Sequence, residues 1–247
     1  MKSNLRALVY TALMTAFVFI TTSIIKIPIP FTDGYIHAGD MCIFIAGILL
    51  GPLYGGFAAG VGSAMADFLG GYGQWVLPTL IIKTIMGMMI GYFAKSDKNV
   101  KPFIVIAMMI WVSSLLTFLY TIWNTSIDSL AAQVEDLGTI DQALQIVGQL
   151  KTQLLVVSIG IPLLIILLTY LKKRYQVTMN QLVSMVIAGI WMVLGYYIAS
   201  SIMYGSFIAP IFSIPWNIVQ FGVGAILAFM VVAALEKAKI THESIFK

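Results

Sequence analysis

Apolar runs of about 20 residues recur along this chain with only short polar breaks between them, and each matches the roughly 30 Å hydrocarbon core of a bilayer at helical rise. In hydrocarbon every backbone N–H and C=O must be bonded inside the segment, so helices are the structure such runs permit. Composition agrees: 60% of the 247 residues are hydrophobic and 10% charged, against about half and a quarter in soluble domains. The expected fold is all-α, a polytopic integral membrane bundle, with residues 1–247 forming a single membrane domain. The first run starts at about Leu5 with no small-residue cleavage site after it, so it reads as a retained helix rather than a removable signal peptide. Cys42 is the single cysteine; it excludes an internal disulfide or a multi-cysteine metal site, and its apolar neighbours point to inert packing.

Eight membrane segments are predicted: Leu5 to Ile25, Met41 to Leu50, Leu53 to Leu69, Pro78 to Phe93, Phe103 to Trp123, Leu154 to Leu171, Leu182 to Met203, and Pro215 to Leu235. The second and third are joined by Gly51-Pro52, a turn signal, and are expected to form a tight hairpin rather than one kinked span. With that count Lys2, Arg6, Lys95, Lys98, Lys101, Lys172, Lys173, Arg174, Lys237, Lys239 and Lys247 fall on one side, and only Lys26 and Lys151 opposite. Lys/Arg excess marks the cytoplasmic face, which places both termini of this multi-pass cell-membrane protein in the cytoplasm. The basic balance is thereby a topology signal, and no base-stacking motif supports nucleic-acid binding. The longest polar stretch, residues 124–152, falls outside; Ile127, Leu130, Ala131, Val134 and Leu137 recur at helical spacing, and Thr139 with Gln142 forms a capping-box start. It reads either as a lid or as an amphipathic hairpin in the headgroup layer.

Charged residues inside spans cost about 2.5 to 3.5 kcal/mol each on insertion scales and so mark structural pairs or ligand pathways. Asp67 and Lys83 are the two clear cases; counted from the outer ends of their spans they lie at similar depth, so adjacent antiparallel helices are expected to join them as an ion pair, either a register lock or part of a site. Between the first two spans, Tyr35-Ile36-His37-Ala38-Gly39-Asp40 places Asp40 as an N-cap. His37 is there either a ligand-contacting group or a solvated loop histidine, and lacks the partners for a metal site. Asn217 and Gln220 stand three residues apart on one face of the last span, where amides bond either a heteroaromatic ring edge or a neighbouring helix. Trp75, Trp191, Tyr196, Tyr197 and Trp216 supply either a stacking wall or interfacial anchors.

Ala12 and Ala16 form a small-xxx-small stripe on the first span, a surface another helix can approach closely. Gly55, Ala59 and Ser63, with Gly56, Gly60 and Ala64, make the third span small nearly all round and hence central. No GxxxxGK[ST] loop, GxSxG elbow or HExxH pair occurs, so ATP hydrolysis must come from another subunit and no catalytic constellation is visible. Nothing calls for a cofactor or a metal, and no enzyme activity is expected.

Six segments in order carry a resemblance: Tyr35 to Asp40, Leu50-Gly51-Pro52-Leu53-Tyr54-Gly55, Gly62-Ser63-Ala64-Met65-Ala66-Asp67, Pro78-Thr79-Leu80-Ile81-Ile82-Lys83, Gly189-Ile190-Trp191 through Tyr196-Tyr197, and Ile214-Pro215-Trp216-Asn217-Ile218-Val219-Gln220. Together they resemble the substrate-binding S components of energy-coupling factor (ECF) vitamin transporters of prokaryotic plasma membranes. Within that family the chain looks most similar to the branch associated with hydroxymethylpyrimidine- and pyridoxine-like substrates. The resemblance implies a six-helix core that closes over a vitamin at its outer face, with His37, Asp40, Asp67, Trp75, Lys83, Trp191, Tyr197, Asn217 and Gln220 as candidate substrate contacts. It further implies a coupling membrane subunit, approached through Ala12 and Ala16, and two cytoplasmic ATPase subunits. Family members usually have six spans, so residues 103–171 read as an inserted hairpin of two more. A self-sufficient carrier using Asp67 as a proton site and a membrane-embedded enzyme are the rival functions; the missing inverted repeat and the missing catalytic set weigh against them.

Overall fold

The structure, a computed structural model, describes residues 2–29, 34–95, 101–124, 178–207 and 209–246 with a few isolated positions between 148 and 170. The expected span Leu154 to Leu171 and the polar stretch of residues 124–152 lie largely outside the described residues, as does the second half of the expected insert. Helices α1 (Lys2–Ile24), α2 (Gly39–Leu69), α3 (Val76–Ala94), α4 (Lys101–Asn124), α5 (Met179–Tyr204) and α6 (Ser213–Lys237) are followed by a short α7 (His242–Phe246). Five helical stretches among the described residues are long and apolar enough to cross a membrane: Leu5–Ile24, Gly39–Leu69, Gly73–Ala94, Met179–Tyr204 and Ser213–Lys237. The fold is thus an all-α membrane bundle; the full count of eight segments goes beyond what is described.

Helix α2 is two helices folded against each other. Gly51 breaks it with φ 81 and ψ −174, a conformation that side chains with a Cβ resist, and Pro52 restarts it. A Cβ placed on Gly55 would lie 2.7 Å from the Gly47 Cα, whereas eight residues of straight helix would separate the two by about 12 Å. The chain therefore doubles back at Gly51, as the Gly-Pro signal predicts. Helix α3 packs along this hairpin so closely that a Cβ on Gly87 would meet the Gly55 carbonyl at 2.7 Å, and one on Gly91 would strike the backbone of Gly51 and Pro52. On the other side Gly62 sits against the Thr15 carbonyl of α1. The small residues of the third expected span thus let its neighbours close in, and the span is central as expected.

Between α1 and α2 the sequence pattern predicts only a loop. The structure has a two-stranded antiparallel ribbon there, β1 (Lys26–Ile29) and β2 (Gly34–His37), in the register Lys26 to His37 and Ile27 to Ile36. Backbone groups that leave one helix and have not entered the next bond each other in this way. Asp40 is also not an N-cap: Ala38 occupies that position without a side-chain bond, and the Asp40 carboxylate turns inward instead. Helix α5 does carry a capping box, Thr178 with Gln181. The core between the two ends of the bundle is filled by large side chains such as Phe44, Met86, Ile90, Met185, Phe221 and Phe229, each at 2% exposure or less.

Candidate ligand-binding site

At the ribbon end of the bundle a cleft of about 450 Å³, its mouth included, is walled by five elements. Strand β2 contributes Tyr35 and His37, the end of α2 Asp67, and the start of α3 Thr79 with Trp75 just before it. Helix α5 adds Tyr196 and Ser200, and α6 adds Ser213, Asn217 and Gln220.

Behind this wall lies a polar knot. Lys83 Nζ donates to Asp40 Oδ1 at 2.5 Å, and neither side chain has any exposed surface. Gln220 Nε2 donates to the other oxygen, Asp40 Oδ2, at 3.0 Å, while Gln220 Oε1 accepts the His37 backbone N–H at 3.0 Å. One amide therefore fastens α6 both to the buried pair and to the ribbon. The Lys83 ammonium also points at Met192 Sδ, 3.0 Å away, and lies 5.4 Å from the Tyr196 ring centroid, so its positive charge is shared among soft and aromatic acceptors.

The expected Asp67–Lys83 pair is corrected by this geometry. Counted upward from Gly51, against which Gly91 packs, Asp40 stands about 16 Å and Lys83 about 12 Å from the turn, but Asp67 about 24 Å. The first half of the hairpin is short, so its start lies deep, level with Lys83. The lysine side chain leans toward the N-terminus of α3 and meets it there. Asp67 instead accepts the Tyr35 hydroxyl at 2.6 Å, and Thr79, which also interacts with it, is 3.1 Å from the Tyr196 hydroxyl. A belt of hydroxyls ending on one carboxylate thus runs around the cleft.

A sequence profile of the family described as ECF-type riboflavin transporter, S component, matches residues 2–169 and 154–237. The chain is an ECF S component. Over 82 residues it is also 49% identical to a Pyrococcus woesei protein described as an uncharacterized protein in the gap 3′ region, a match covering 33% of this chain and 55% of that protein. The chain thus spans about half the length of that curated relative. No solved structure matches.

Of the residues proposed from sequence, His37, Asp67, Trp75, Asn217 and Gln220 line the cleft of this S component. Asp40 and Lys83 stand behind its wall, fully buried. Trp191 and Tyr197 are used elsewhere: the Trp191 indole N–H donates to the Ile82 carbonyl at 3.0 Å, and the Tyr197 hydroxyl to the Phe207 carbonyl at 3.0 Å. Tyr35, Thr79, Ser200 and Ser213 line the cleft without having been singled out; the one available signal was Thr79, one turn before Lys83 on the same helix face. Ala12 and Ala16 stand exposed on α1, away from the buried row Ala7, Thr11, Met14 and Val18. No group of three His, Cys, Asp or Glu suited to a metal occurs among the described residues.

His37 lies in the ribbon, outside the spanning helices. Desolvation of its ring, and then the charge of Lys83, push its pKa from 6.5 down to about 3. The neutral ring accepts the Gly39 N–H on Nδ1 at 3.0 Å, a bond the imidazolium cannot accept. Because the folded-state pKa lies below the ordinary one, this contribution to stability is complete above pH 6.5 and is lost as pH falls toward 3. Thermal unfolding in detergent should be level near neutrality and weaken in that acid window, and His37→Gln should remove most of the slope.

Proposed function

We propose that the chain binds a small nitrogen-heterocyclic vitamin or precursor, hydroxymethylpyrimidine- or vitamin B6-like, in the cleft at the ribbon end. A coupling membrane subunit and two ATPase subunits drive its uptake, and the chain itself performs no chemistry. The single observation that carries the reading is Asn217. Its side chain is 5% exposed and lines the cleft. A polar amide on a wall that also carries aromatic rings is the kind of group that orients a ligand. Trp75 and Tyr196, with ring centroids 5.7 Å apart, offer faces for a flat ring beside it.

The cation asymmetry supports a cleft that faces outward with both termini in the cytoplasm of a prokaryotic cell. Ala12 and Ala16 are the proposed contact for the coupling subunit, since small exposed residues on a membrane helix admit a second helix closely. Riboflavin is the second reading, favoured by the family description.

Asn217→Ala should weaken ligand binding more than tenfold, about 1.4 kcal/mol, with the unfolding temperature little changed. Wild-type affinity in that variant would remove the cleft as the site. Uptake into liposomes should require the ATPase module; uptake by the chain alone would favour a self-sufficient carrier.

A further inference from the structure

The charges around the cleft are unequally placed. Asp67 is the one carboxyl group on the wall, since the rest of it is glycine, hydroxyls, amides, aromatic rings and a neutral His37. The two nearby lysines act on Asp67 through space, but neither lines the cleft. Lys83 is bonded to Asp40 behind the wall with no exposed surface. Lys26 lies across the Tyr35 ring, 4.7 Å from its centroid and 4.9 Å from that of Tyr72, with its Nζ 3.4 Å from the Ala66 carbonyl. The Asp67 carboxylate takes the Tyr35 hydroxyl on Oδ1, and a carboxylate has about four acceptor positions, so capacity remains for a donor in the cleft. A second negative charge placed there would meet it in a poorly solvated space, where like charges repel strongly.

We propose that Asp67 selects the ligand by charge: the cleft admits a neutral or cationic heteroaromatic ring that presents an N–H or O–H donor, and rejects the same ring bearing a carboxylate or phosphate. This rests on reading the cleft as the substrate site. Tyr35 is the positioning residue, holding one carboxylate oxygen so that the group keeps its place on the wall.

Calorimetry on the purified full chain in detergent, with matched pairs, tests it. The pairs are pyridoxine against pyridoxic acid, hydroxymethylpyrimidine against its carboxylate, and riboflavin against its phosphate ester. Whichever neutral parent binds, its anionic partner should bind at least 100-fold more weakly to the wild type, and Asp67→Asn should shrink that ratio tenfold or more. An anion within threefold of its parent on the wild-type chain overturns the proposal and leaves the vitamin-binding reading standing; this arm needs no variant to fold. A ratio unchanged in an Asp67→Asn chain that still binds the parent shows exclusion by size and also overturns it. No binding by any neutral parent would overturn the vitamin-binding reading itself and this selection with it.

Discussion

Lys83→Ala is expected to destabilise the chain by about 3 to 5 kcal/mol, the range found when one member of a buried ion pair is removed. The pair has no exposed surface on either side chain, so the Asp40 carboxylate left behind reaches no water and keeps only the Gln220 amide. The loss should appear in unfolding of the purified chain in detergent, and ligand affinity should fall with it because Asp40 anchors the amide that holds the ribbon. Replacing both partners, Asp40→Asn with Lys83→Met, should recover most of the stability, since apolar or neutral groups of similar shape often match a buried pair. A single Lys83→Ala variant as stable as the wild type would contradict the pairing.

Gln220→Leu is the second large effect. The substitution keeps the volume but takes a donor from Asp40 Oδ2 and an acceptor from the His37 N–H. Each group left unsatisfied costs about 1 to 3 kcal/mol, and the ribbon loses its tie to α6. Stability should fall, and binding should fall further than stability explains, because His37 and Tyr35 both ride on β2. Titrating ligand well below the unfolding temperature separates the two effects. Unchanged affinity there would mean that the ribbon holds its place without Gln220.

Much of this site was legible from residue type and spacing. Asn217 and Gln220 at three-residue spacing in an apolar helix had to share a face, and both line the cleft. Gly51-Pro52 announced the hairpin because a Gly with positive φ followed by Pro is what a reversal between helices needs. The partner of Lys83 was not legible by counting from span ends, because that treats every span as starting at the same level. The first half of α2 is short and starts deep, which makes Asp40 the neighbour and leaves Asp67 above it for Tyr35. The ribbon was missed although Lys26-Ile27-Pro28-Ile29 alternates and Asp33-Gly34 is a turn dipeptide, since four residues a side are too few for periodicity to register. Trp191 and Tyr197 were drawn in by their aromatic character alone. Each instead spends its polar atom on a backbone carbonyl, and only the packing of α5 against α3 and against residue Phe207 decides that.

The most direct measurement is calorimetry of the purified S component against a panel of B vitamins and their precursors, with any conversion of ligand followed in the same samples. A single heterocyclic vitamin or precursor bound at sub-micromolar affinity, recovered unaltered, and bound more than tenfold more weakly by Asn217→Ala is the predicted result. Binding that survives Asn217→Ala undiminished, a ligand returned as product, or no binding across the panel would contradict the account.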